Sequence, residues 1–195
     1  AINTFVTLAH PGLGDFNNLD AIAYDVVADN AIVATAVESG PSTSSNTTYS
    51  NPASSMGYLW YYQALLAKGY HLGPTVDHDN HKTTFGKTTR SRTAVIAPGP
   101  TLTKAAMMTA MRNMNFYATQ DCDTKVDFSI NTRIMGNIFT DRFAPNIAVS
   151  LTDRLPLFAF KILSSKMHDK VLILALNPEL KIKLDSVFLS FAIIE

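Results

Sequence analysis

The segment GPTVDHDNH, Gly73 to His81, gathers two aspartates and two histidines within five positions of a chain in which only 16% of residues are charged. Imidazole nitrogens and carboxylate oxygens are the donors that hold hard or borderline divalent cations. On extended backbone, side chains two positions apart share a face. Asp79 and His81 would then point the same way, with Asp77 in their parity and His78 and Asn80 opposite. His10 and Glu38 stand in similar places, each closing an apolar run, INTFVTLA and AIVATAV. His10, Glu38, Asp79 and His81 are therefore candidate ligands for a divalent metal ion, Zn, Mn or Fe. A bound cation lowers the pKa of its water to about 7 and stabilises charge on a phosphoryl or carbonyl oxygen, so metal-assisted hydrolysis is the chemistry to expect. Arg92, beside Thr93, is a candidate anion contact, which makes Asp79, His81 and Arg92 the expected catalytic set.

Each of these residues also has a plainer role to set beside the functional one. His10-Pro11-Gly12 reads equally as a turn, and Asp77 to His81 as a polar loop whose side chains satisfy backbone amides. Glu38, before Ser39-Gly40-Pro41, suits the start of a solvated loop, and Arg92 suits a strand edge. Trp60, Tyr61 and Tyr62 read as an aromatic core stripe, and His71, inside a strand, and His168, in a charged break, as structural or solvated residues.

Parallel α/β folds collect functional groups at the carboxyl ends of their strands. The chain carries such an order. Residues 2–9 read as a strand covered on both faces. Asn17 or Asn18 is expected to cap a helix through about Ala28, with Leu19, Ile22, Ala23 and Val26 spaced at three and four. Residues 31–37 form a second strand, Ser54 or Ser55 opens a helix closed by Gly69, and residues 70–76 form a third strand. A fourth strand over 92–97, a helix capped by Thr101 or Thr103 through Met114, and extended structure at 116–119 follow. From Thr124 the pattern changes. VDFSINTRIMG and NIAVSLTD alternate apolar and polar residues as half-buried antiparallel strands do, and the strand-like segments beyond Leu155 are unusually apolar.

Composition narrows the function classes. With 195 residues, 47% of them hydrophobic, the chain is long enough to bury a core. Its 16 basic and 16 acidic residues cancel and nowhere concentrate, so nucleic acid is not expected as a non-specific partner. The single cysteine, Cys122, excludes an intrachain disulfide and a cysteine-based zinc site. No apolar run reaches about 18 residues, so no membrane span is expected. The stretch SGPSTSSNTTYSNPASS, poor in charge, leans towards export, to a secreted, periplasmic or cell-surface location. The chain opens directly on a strand pattern with no charged leader, so no signal peptide is expected within it.

Taken in order, VTLAHPG, TAVESG, GPTVDHDNHKTTFG, and RTAVIA with the later AMRNMNFYAT resemble the second half of a PHP-type (polymerase and histidinol phosphatase) metal-dependent phosphoesterase. The likeness covers roughly residues 1–140 and is nearest to an exported, Bacteroidetes-like branch with a following β-rich domain. The resemblance implies an α/β fold, a partial distorted (β/α)7 barrel over residues 1–122, followed by a small β-rich domain over 123–195. It implies up to three divalent metals at the barrel rim, held by His10, Asp79 and His81 with Glu38 nearby, and Arg92 against phosphate. A small phosphoester would be the substrate. The family's N-terminal His-x-His motif has no counterpart, so the chain is expected to be a fragment or a truncated relative that has lost catalysis. A half barrel exposes unpaired strand edges, which favours pairing with a second copy or with the missing N-terminal half of the same protein. The competing reading is a non-enzymatic extracellular or cell-surface structural protein that assembles through those strands.

Overall fold

The computed structural model describes residues 4–48, 56–139, 146–152, 161–164, 172–173 and 187–193. The first strand, β1 (Val6–Leu8), leads into a four-residue turn, α1 (Asp15–Asn18), in which Phe16 and Asn17 take left-handed backbone. Left-handed residues cannot propagate a right-handed helix. The single helix expected from Asn17 to Ala28 therefore does not form. Helix α2 (Val26–Ala31) begins only where the Asp25 carboxylate accepts from the Val27 and Ala28 amides at 2.7 and 3.2 Å. Of the apolar positions spaced for a helix, Leu19 is buried while Ile22 and Val26 are exposed.

Strand β2 (Ile32–Ser39) is buried at all eight positions and forms the centre of the first sheet. Next in the chain come β3 (Met56–Gly57), α3 (Leu59–Ala67) and β4 (Gly73–Val76). β2 pairs in parallel with β1 on one side and β4 on the other, and β3 adds antiparallel at its carboxyl end. The strand, helix, strand pattern of the sequence is thus realised as a parallel β1-β2-β4 order. Helix α3 ends in a left-handed glycine: the Gly69 amide donates to Leu66 and the Tyr70 amide to Leu65, satisfying carbonyls that the last turn would leave open. Tyr61 and Tyr62 are fully buried, but Trp60 is 43% exposed, so the aromatic stripe has two members in the core. Burial, with the nearby carboxylates of Asp20 and Asp15, pushes the Tyr61 hydroxyl up to about 12. His71 takes the structural one of its two expected roles but lies before the strand. Its Nδ1 sits 2.8 Å from Asp29 Oδ2 and its amide donates to Asp29 Oδ1 at 2.6 Å.

β5 (Arg92–Val95), α4 (Lys104–Arg112) and β6 (Phe116–Thr119) follow, with β5 and β6 antiparallel. Thr103 caps α4 through its hydroxyl, 3.0 Å from the Ala106 amide. Two contacts join this pair to the parallel strands. The Thr93 hydroxyl accepts from the Val76 amide at 2.9 Å and donates to the Val76 carbonyl at 3.0 Å, standing in for a ladder between β4 and β5. Gly73 faces the Phe116 ring so closely that a Cβ would lie 2.5 Å from it, so only glycine lets β4 approach β6.

The alternating segments behave as the period of two demands. In β7 (Lys125–Ile130), Val126, Phe128 and Ile130 are buried against Tyr117 and Met135. After β8 (Arg133–Ile134) and β9 (Ile138–Phe139), strand β10 (Ile147–Thr152) pairs antiparallel along the whole of β7. Backbone pairing carries β11 (Lys161–Ser164), β12 (Leu172–Ile173) and β13 (Val187–Ile193) into one sheet with β6 and β5, in the order β12-β11-β13-β6-β5. His168 lies outside the described residues, and the helix expected from Ser54 or Ser55 opens only at Leu59, because Met56 and Gly57 pair with the end of β2 as β3. The molecule is a mixed α/β structure with many strands and few helices, and its described strands do not close into a barrel. Among the described residues no helix is long and apolar enough to cross a membrane.

Candidate functional site at the ends of β1 and β4

The chain leaves β1 and β4 at the same end of the sheet, because both run parallel to β2. A cavity of about 610 Å³ opens there. Its polar lining comes from His10 beyond β1 and from Asp77, His78, Asp79 and Asn80 beyond β4. Its apolar lining comes from Leu8, Ala9, Val76, Val95 and Met111. Two of the predicted ligands, His10 and Asp79, are therefore brought to one space from separate strand ends. Both have left-handed backbone, with φ 34 and 47, a conformation uncommon outside glycine and concentrated where a surrounding structure holds it in place.

The parity argument for Asp79 and His81 does not survive. It needs extended backbone through residue 81, whereas β4 ends at Val76 and the chain turns at once. Asp77 Oδ1 accepts from the Asp79 amide at 2.9 Å, an Asx turn, and from the Ser39 hydroxyl at 2.5 Å. Asp79 follows in left-handed conformation and throws His81 outward. The His81 side chain is 61% exposed and is not among the residues lining the cavity, though its Nδ1 donates to the Asp79 carbonyl at 2.6 Å. That bond leaves Nε2 as the ring's available lone pair.

His78 lines the cavity with both ring nitrogens engaged. Nε2 lies 3.0 Å from the Ser91 carbonyl, so it donates, and Nδ1 lies 3.4 Å from the Thr88 hydroxyl. Asn80 binds Thr84, and the Lys82 amide binds Asn80. Much of the Asp-His-Asp-Asn-His segment thus does what a polar loop does, satisfying its own backbone and the 84–91 loop.

Glu38 and Arg92 are placed elsewhere. Glu38 is buried at the end of β2, where Oε1 accepts from the Gln120 side-chain amide just beyond β6. It is not a solvated loop residue, and it does not line the cavity. The Arg92 guanidinium donates to the Thr89 and Ser91 carbonyls at 2.7 Å each and to Gly86 at 2.8 Å, and Arg92 also lies outside the cavity lining. Backbone carbonyls fix this cation, so its positive charge organises the 86–91 loop.

Three lining residues, Thr75, Thr93 and Met111, carried no signal in the sequence. Their strands and helix were legible, but not which face would meet β1. A second group also went unforeseen. Among the described residues, only Asp121, Cys122 and Asp123 place three potential ligand atoms within 4.8 Å of one another. His10, Glu38, Asp79 and His81 do not form such a set. At the 121–123 corner the Asp121 carboxylate, 2% exposed as a residue, receives Arg90 Nη2 at 2.7 Å on both oxygens. Burial raises the Asp121 carboxyl, but hydrogen bonds from Arg90 and Asp123 and the guanidinium charge outweigh it and hold the group below the usual carboxylate range. The corner already contains its own cation.

Set against known protein families, curated proteins and solved structures, the chain finds no match in any of the three.

Proposed function

We propose that this chain carries a metal-dependent phosphoesterase site of PHP type in the cavity between the ends of β1 and β4. The observation that supports the reading is the arrival of His10 and Asp79 in one 610 Å³ space from two different strands. An imidazole and a carboxylate suit a divalent cation of the Zn, Mn or Fe kind, and a site with few protein ligands is completed by water and substrate phosphate oxygens. A cation there would supply the positive charge that a phosphoryl group needs and would lower the pKa of a water to about 7. The chain's own residues do the rest. His10 and Asp79 hold the donor positions, the Asp77 carboxylate fixes the turn that presents Asp79, and the Ser91 and Thr88 bonds keep the His78 ring out of competition. Arg92 acts on the site by holding the 86–91 loop in which Ser91 lies.

Metal analysis of the purified chain, followed by hydrolysis of a chromogenic phosphodiester with added Mn²⁺ or Zn²⁺, tests this reading. Bound metal and turnover that both vanish in Asp79→Asn and His10→Ala are expected. Turnover that survives both substitutions would sink it.

The structural reading keeps one observation in its favour. Among the described residues β1 pairs only with β2, leaving an open edge on which Val6 is 44% exposed. Such an edge is a template for a second chain. Mass measurement in solution decides: a large, regular polymer that holds no metal would replace the enzyme by an extracellular or cell-surface assembly protein.

A further inference from the structure

The lining of the cavity at the ends of β1 and β4 pairs uncompensated negative charge with an aliphatic wall. Asp77 Oδ1 accepts from the Ser39 hydroxyl at 2.5 Å and from the Asp79 amide at 2.9 Å, both neutral donors. The Asp79 carboxylate accepts no hydrogen bond among the described residues, since His81 Nδ1 stands 3.8 Å from Oδ1, beyond hydrogen-bond reach. No lysine or arginine lines the space, and the Arg92 guanidinium is bound to three backbone carbonyls. Leu8, Val76, Val95 and Met111, from β1, β4, β5 and α4, make the wall aliphatic, and the Thr93 hydroxyl is occupied by the Val76 amide and carbonyl. A cleft lined by one sign of charge with apolar walls concentrates ions of the opposite sign and repels those of its own. His10, Asp77 and Asp79 do not bring three donor atoms within 4.8 Å of one another. That spread suits an ammonium group, whose N–H bonds to separate acceptors run to about 2.7–2.9 Å each.

We infer that this cavity binds a small organic cation, a primary amine on an alkyl or aryl body, with the ammonium group at Asp77 and Asp79 and the body on Val95 and Met111. The inference does not rest on the phosphoesterase reading: it needs no metal and uses the charge of the lining as folded. An anionic group in the ammonium position would face two carboxylates with no cation to offset it. The volume, about 610 Å³, is ample, since pockets for small molecules run from about 300 to 1,000 Å³.

Calorimetric titration of the full chain with phenethylamine, in EDTA at neutral pH where the amine is protonated as lysine is, tests this directly. Phenethyl alcohol keeps the body and methylamine keeps the charge, and each should bind about tenfold more weakly or worse. Hydrocinnamate, with a carboxylate in place of the ammonium, should not bind. Thr7→Lys, at an exposed lining position of β1, places a competing ammonium in the cavity and should weaken phenethylamine by about tenfold or more. Thr7→Gln, similar in reach but uncharged, should stay within about twofold of the native chain, and Asp79→Asn should match Thr7→Lys. No binding of phenethylamine, equal binding of the alcohol, of methylamine or of the carboxylate, or an affinity that neither Thr7→Lys nor Asp79→Asn lowers would each overturn the inference. Because EDTA removes metal throughout, failure of phosphodiester hydrolysis overturns the phosphoesterase reading alone and leaves amine binding standing.

Discussion

Two aspartate-rich turns follow strands in this molecule, and they reach opposite ends. Beyond β6, Asp121 is buried beneath Arg90, and the guanidinium satisfies both carboxylate oxygens. Beyond β4, Asp79 is 28% exposed and lines an open cavity, with His81 Nδ1 3.8 Å from its Oδ1 and no arginine or lysine among the residues lining that cavity. A buried carboxylate must carry its counter-charge with it, whereas one at a cavity rim is stabilised by water until a ligand replaces the water. The first turn is closed chemistry that holds loops together. The second leaves its carboxylate at the mouth of an open cavity. Residue type alone does not separate them, since Asp-Cys-Asp looks as much like a ligand set as Asp-His-Asp-Asn-His does.

That contrast can be broken most forcefully at Arg90. Arg90→Met leaves Asp121 buried without its partner, a loss of about 3–5 kcal/mol for a fully buried pair. Because the Arg90 side chain is 40% exposed and solvent screens it, a loss of about 2 kcal/mol is expected, read from urea unfolding midpoints. An unchanged midpoint would show that the corner is not held by this pair.

Acid should then distinguish the turns in the native chain. The folded Asp121 carboxyl lies below its unfolded value of about 3.9, so the unfolded state binds more protons in the interval between them. Its contribution is complete above about pH 4 and is lost as pH falls through the folded value. Unfolding followed by denaturant between pH 6 and pH 2.5 should show this loss in the native chain and a shallower one in Arg90→Met. Parallel curves would refute the assignment.

Smaller effects sharpen the comparison from the side of the cavity. Thr93→Val removes the hydroxyl between β4 and β5 and strands the Val76 amide and carbonyl. About 1–2 kcal/mol of stability should go with it. Hydrogen exchange at the Val76 amide is the local readout, and full protection there in the variant would mean another partner had taken over. Smallest is Asp79→Asn, which keeps the left-handed tolerance of the position and should move stability by no more than about 0.5 kcal/mol. Metal uptake, by contrast, should fall to background. A variant that unfolds easily would place Asp79 with Asp121, as a structural carboxylate.

The architecture was legible wherever a simple period decided it. Strand β2 reads as a continuous apolar run because both its faces are covered, β7 and β10 alternate because one face is, and Gly69 ends its helix because the cap demands left-handed backbone. The long helix expected after Asn17 failed because an apolar spacing of three and four says nothing about Phe16, Asn17 and Asn18 turning left-handed, or about Asp25 offering a better cap later. Within the site, His10 and Asp79 were recoverable as strand-end residues. The outward throw of His81 was not, since it follows from a single Asx turn at Asp77.

Sequence alone determined that His10 and Asp79 close two apolar strands, that the strands belong to a parallel α/β unit, and that an antiparallel β region follows, because these depend on local period and propensity. Tertiary structure alone decided which polar groups neutralise one another. Glu38 went to Gln120, Arg92 to the carbonyls of its own loop and Asp121 to Arg90, while His10 and Asp79 were left facing a shared space. Hydrogen bonds and charge pairs act over a few ångströms between residues far apart in the chain, so their partners exist only once the strands are packed.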